Sequence, residues 1–98
     1  MRQYDNRTID ELGRLVLNRE LRTKLALEAG SRLQVTCVDT IAILQPTETL
    51  TTTGDTVCKV DELGRILMPK KIRQALGWNT LDEVSAFQTG NLIILKSA

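Results

Sequence analysis

Histidine is absent from this 98-residue chain, and aromatic residues number three: Tyr4, Trp78 and Phe87. The first absence removes the commonest general base and the commonest metal ligand. The second leaves Leu, Ile and Val to build the core. Cysteine occurs twice, as Cys37 and Cys58, without C-x-x-C spacing. A zinc site or a redox pair is therefore not expected, and both are read as reduced thiols of a cytoplasmic protein. No apolar run is long enough to cross a membrane, and Met1-Arg2-Gln3-Tyr4-Asp5 is too polar for a signal peptide. The formal net charge is +1, so whole-chain electrostatics does not announce a polyanionic partner. These absences argue for a protein that is not an enzyme, with no metal and no cofactor.

What is present is a repetition. Ile9-Asp10-Glu11-Leu12-Gly13-Arg14 recurs 51 positions later as Val60-Asp61-Glu62-Leu63-Gly64-Arg65. The offset continues without a gap: Arg22 falls on Arg73, Leu25 on Leu76, and Leu44 on Leu95. Self-similarity at a fixed offset marks one unit used twice. At about 40 residues each unit is near the size below which domains rarely fold alone, so one core shared by both is expected.

Each copy reads as β-turn-β-α-β-turn-β. In the first, residues 8–10 and 14–17 read as strands around a turn at Gly13, where glycine supplies a backbone angle that other residues avoid. Asn18 is a plausible N-cap for a helix over 19–27. Residues 32–38 alternate and are β-branched, hence a strand; Asp39-Thr40 turns it into 41–44. Residues 46–56, rich in Thr and carrying Pro46 and Gly54, read as a linker between copies at 7–45 and 57–97. In the second copy, strands are expected over 57–61 and 65–68. Pro69 opens a helix over 70–76 and Gly77 closes it. Strands follow over 83–87 and 92–95, and the unbroken Leu92-Ile93-Ile94-Leu95 run implies burial on both faces.

Residues 60–77, closing in Leu92-Ile93-Ile94-Leu95-Lys96, resemble the SpoVT/AbrB swapped-hairpin DNA-binding family, which includes transition-state regulators and MazE-type antitoxins. The resemblance covers residues 57–97. It extends in weaker form to 7–45, where Asn18 replaces the helix-opening Pro and Ala26 the Gly after the helix. It implies a mainly β, barrel-like fold in which two units interleave their hairpins, here fused in one chain as a pseudo-dimer. It also implies a cytoplasmic transcription regulator that contacts double-stranded DNA through arginines at the turn and on the helix. By position these are Arg14 and Arg65, then Arg22 and Arg73, with Arg7 at a basic position just before the first strand. Thr23 and Gln74 stand where family members often carry a second helix arginine.

Beside these arginines, Lys24, Lys59, Lys70 and Lys71 complete two basic clusters, one in each copy. A guanidinium fork suits phosphates and base edges; the competing reading of Arg14 and Arg65 is a local ion pair with Asp10 or Glu62 that sets the turn. The paired acids at 10–11 and 61–62 are expected to be turn formers rather than a catalytic dyad. The resemblance leaves two alternatives to DNA binding: an antitoxin-like module with a toxin partner, and a fold relative with little DNA affinity. Because the sequence ends at Ala98, directly after the last strand, a toxin-neutralising tail is not expected. A homo-oligomer is compatible with all three.

Overall fold

The computed structural model describes residues 1–48 and 56–98. Among them the chain forms eight strands and two short helices, and is mainly β. The first half contains β1 (Arg2–Thr8), β2 (Arg14–Val16), α1 (Arg19–Lys24), β3 (Arg32–Val38) and β4 (Ile41–Thr47). The second contains β5 (Val57–Lys59), β6 (Arg65–Leu67), α2 (Lys70–Leu76), β7 (Glu83–Thr89) and β8 (Leu92–Ser97). Six strands make one sheet in the order β1-β7-β8-β4-β3-β5, and β2 pairs with β6 in a separate two-stranded ribbon.

The pairing crosses between halves. Strand β1 runs antiparallel to β7, whereas β5 runs antiparallel to β3. The two C-terminal hairpins, β3-β4 and β7-β8, meet through β4 and β8, with Ile43 opposite Ile94. In the ribbon, Leu15 opposes Ile66. Each half thus pairs strands of the other, β1 with β7, β5 with β3 and β4 with β8, which leaves only β1 and β5 as edges of the six-stranded sheet. The core follows the same rule. Leu15, Leu17 and Leu21 pack in one cluster with Ile66, Met68 and Ile72, all buried.

Backbone conformation repeats as well. The eight described residues with left-handed φ fall into four pairs 51 positions apart: Gly13 with Gly64, Ala26 with Gly77, Gly30 with Leu81, and Asp39 with Gly90. Turn geometry is thus the same at these paired positions even where residue type differs.

The structure corrects several expectations. The first strand is not 8–10 but Arg2–Thr8, which pairs with β7 on both sides of a register shift between Tyr4 and Arg7 despite its polar sequence. Polarity there reflects an exposed edge strand rather than a loop. Helix α1 ends at Lys24 instead of 27, because Ala26 adopts φ 53°, a conformation that a helix cannot continue. The Asn18 side chain makes no capping bond. Pro69 is itself the N-cap of α2, with helical geometry beginning at Lys70. Pro46 and Thr47 belong to β4, opposite Leu33 and Arg32, so the linker does not open at Pro46; residues 49–55 of that stretch lie outside the described residues. Strand β8 is not buried on both faces. Ile93 and Leu95 are enclosed, but Leu92 and Ile94 are only half-buried, on the outer side of the sheet.

Candidate nucleic-acid interface

The repeated Asp-Glu-Leu-Gly-Arg motif builds the same turn twice. Asp10 Oδ1 accepts the N–H of Leu12 at 2.9 Å and of Arg14 at 2.8 Å, while Gly13 donates its N–H to the Asp10 carbonyl at 3.0 Å. Asp61 does the same for Leu63, Arg65 and Gly64. The second carboxylate oxygen takes the arginine Nε, at 2.7 Å in the Asp10–Arg14 pair and 2.6 Å in the Asp61–Arg65 pair. For Asp10, the Arg14 backbone N–H foremost holds the carboxyl below its ordinary value of 3.8. For Asp61, partial burial raises the value, but the Arg65 N–H, its guanidinium and the Leu63 N–H outweigh that and lower it. The ion pair weighed for the turn arginines is therefore real, and its partner in the second copy is Asp61, not Glu62. The aspartates are turn formers, as expected, and no metal-holding group of His, Cys, Asp and Glu occurs among the described residues.

The helix arginines serve the opposite half. A Cβ on Gly13 would lie 2.4 Å from Arg73 Cζ, and one on Gly64 would lie 2.4 Å from Arg22 Cζ. Each guanidinium thus lies across the bare backbone of the other copy's turn, a place that only glycine leaves open. Arg22 Nε donates to the Leu17 carbonyl at 3.0 Å, and Arg73 Nε to that of Met68 at 3.0 Å. Reciprocal backbone bonds lock the arrangement: Leu17 N–H to the Gly64 carbonyl at 2.9 Å and Met68 N–H to that of Gly13 at 3.1 Å.

Two composite clusters result, Arg14 with Arg73 and Arg65 with Arg22. In all four arginines the Nε is held by protein, and among the described residues none of their terminal Nη atoms makes a hydrogen bond. Four forks are oriented at one end and unoccupied at the other. Sequence reasoning found all four arginines but grouped them by copy; the exchange of partners shows only once the hairpins interleave.

The remaining basic candidates are scattered. Lys70 and Lys71 are exposed at the start of α2, just after Met68 and hence near the Gly13 turn. Lys59 is exposed on edge strand β5, opposite Arg32. Lys24 is exposed at the end of α1, where it lines a shallow cleft with Arg2, Arg19, Glu20 and Thr23. Arg7 opposes Val84 in the sheet. It lines a polar cleft of about 310 Å³ with Tyr4 and Asn18, and its Nε, the Tyr4 Oη and the Asn18 Oδ1 are buried without a hydrogen-bond partner. Arg2, Glu20 and Tyr4 border the same cleft, with Arg2 paired to Glu20 and stacked 4.7 Å from the Tyr4 ring centre.

The ribbon carries a second feature that charge-based reasoning missed. Its inward side chains are Leu15 and Ile66; its outward ones are Arg14 and Val16 on β2 and Arg65 and Leu67 on β6, with Arg14 opposite Leu67 and Val16 opposite Arg65. Leu12 and Leu63 stand at the two turn tips, 62% and 67% exposed, and Leu67 is 51% exposed. The signal was present in the alternation of Leu12-Arg14-Val16 and Leu63-Arg65-Leu67.

No family model matches the chain. Over 40 residues, 41% of its length, it is 52% identical to a protein of Bacillus subtilis (strain 168) named "Putative transition state regulator Abh"; the match takes in 44% of that protein. The solution structure of PHS018 from Pyrococcus horikoshii aligns over 96% of this chain and 86% of its own, with a TM-score of 0.48 and 16% identity. The similarity to Abh supports an AbrB-like relation for this chain.

Proposed function

We propose that this protein is a DNA-binding transcription regulator, built as a fused pseudo-dimer of two AbrB-type units, with no catalytic role. The observation that carries the reading is the pair of composite arginine clusters. Each joins a turn arginine of one half to a helix arginine of the other, with every Nε held and no Nη hydrogen-bonded among the described residues. A guanidinium oriented in advance loses little freedom on meeting a phosphate or a guanine edge. The four left-handed pairs at one offset support duplication of a single unit, and the name of the similar protein, Abh, supports a regulatory role. Lys70 and Lys71 add charge beside one cluster.

A salt titration of binding to random-sequence duplex DNA tests the reading. Four arginines that each neutralise one phosphate predict a log–log slope of about −4, steeper if the lysines join. The Arg14→Ala/Arg65→Ala variant should flatten the slope by about 2 and weaken binding to all sequences alike. Absence of wild-type binding at low salt, or binding that ignores salt, sinks the proposal.

A further inference from the structure

An arginine patch alone does not explain why the ribbon that carries it is otherwise aliphatic. Its solvent face alternates leucine and valine with the two turn arginines, and this pattern is built twice, on opposite strands. Single exposed leucines need no explanation. Here, however, Leu12 and Leu63 recur at equivalent turn tips, each fixed by aspartate hydrogen bonds to its own N–H and each beside a two-arginine cluster. Leu67 extends the strip directly opposite Arg14. Exposed aliphatic groups gain nothing from phosphates, so the partner that suits this face must offer anionic and apolar groups together.

Duplex DNA offers both in one place. Its major groove admits a two-stranded β-ribbon, is walled by phosphates, and displays the C5-methyl group of thymine, the one strongly apolar feature on the edge of a base pair. Successive strand residues rise about 3.3 Å, so the two leucine tips, six positions apart along the ribbon axis, span at most about 20 Å. That length covers roughly six base pairs. We propose that the outer face of the β2-β6 ribbon lies in the major groove and that Leu12, Leu63 and Leu67 pack on thymine methyl groups, giving the protein a preference for thymine-bearing sites. The inference rests on the DNA-binding reading and adds the part of the base that is read.

Replacing every thymidine of a thymine-rich duplex by deoxyuridine removes the methyl groups and leaves charge and pairing unchanged. Wild-type protein should bind the thymidine duplex more tightly, by about fourfold for each methyl group covered. In Leu12→Ala/Leu63→Ala the ratio between the two duplexes should fall toward one, with the salt slope retained because the arginines remain. Emission of the lone Trp78 reports whether the variant is folded. Wild-type binding that is salt-dependent but equal on both duplexes overturns the methyl reading and leaves DNA binding standing; absence of binding to either overturns the DNA reading itself. A variant that discriminates between the duplexes as strongly as wild type shows that residues other than Leu12 and Leu63 are the readers and overturns the assignment. A wild-type dimer in solution that the leucine substitutions dissociate assigns the face to a second copy of the chain instead.

Discussion

Gly64→Ala tests the interlock between the halves. The substitution has two separable costs. Gly64 has φ +78°, and an L-residue held there costs about 1–2 kcal/mol. In addition, the new Cβ would meet Arg22 Cζ at 2.4 Å and Nη1 at 2.6 Å. Those atoms end a flexible side chain, so the arginine gives way rather than the backbone. It then gives up the 3.0 Å bond from its Nε to the Leu17 carbonyl, a further loss of about 1 kcal/mol or somewhat more for a charged donor. Gly77→Ala is the internal control: Gly77 has φ +69°, and nothing lies within 4 Å of its Cβ position. Gly64→Ala should therefore lose about 2–3 kcal/mol and Gly77→Ala about 1–2 kcal/mol. Urea unfolding followed by Trp78 emission measures both, since this side chain is buried and donates its Nε1–H to Ser97 Oγ at 3.0 Å. The excess should vanish in an Arg22→Ala background, where nothing remains to be displaced. Equal losses at the two glycines, or an excess that survives removal of Arg22, would refute the interlock. On the DNA reading, Gly64→Ala also weakens duplex binding, because it scatters one prepared guanidinium.

The sequence carried the strand and helix order because its punctuation is local. Gly13, Gly64, Pro69 and Gly77 announce their own conformations, and β3 announces itself by alternation. It failed where the cause of structure is distant. Strand β1 is polar and acquires its extended form only by pairing with β7, some eighty residues away. The end of α1 was misplaced because Ala26 occupies a left-handed position without being glycine. The same blindness hid Leu81, whose φ of +75° matches that of Gly30 one repeat earlier. Residue type reveals a left-handed turn only when selection has kept glycine or asparagine there. A repeat allows the conformation seen in one copy to be assigned to the other. At the candidate site the arginines were legible as residues but not as clusters. Two glycines leave room for guanidinia from the opposite half, and only the interleaving of hairpins brings them there.

Four further outcomes follow from the same geometry. Asp10 and Asp61 both have carboxyls lowered on folding, so their contribution is present above the unfolded value near 3.8 and is lost as pH falls through the lower folded values. Unfolding curves of the wild type and Asp10→Asn/Asp61→Asn should accordingly differ at pH 6 and converge by about pH 2; a constant gap would refute the assignment. Burial pushes the Cys58 thiol up to about 12, so native protein at pH 8 should be alkylated by iodoacetamide at half-buried Cys37 well before Cys58. Preferential labelling of Cys58 would mean that β5 opens readily. Glycine at Ala26 and at Leu81 should each stabilise the protein. The strain released is about 1–2 kcal/mol, and the added freedom of the unfolded chain takes back about 0.4–1 kcal/mol, leaving a net gain of up to about 1.6 kcal/mol. For a chain of this size that raises Tm by roughly 4–8 °C per kcal/mol. Leu81 is 76% exposed, so its removal sacrifices little packing and isolates the backbone term. If both glycine variants melt no higher than wild type, the two halves do not share the turn geometry described here, and the left-handed pairing fails as evidence that one unit was used twice.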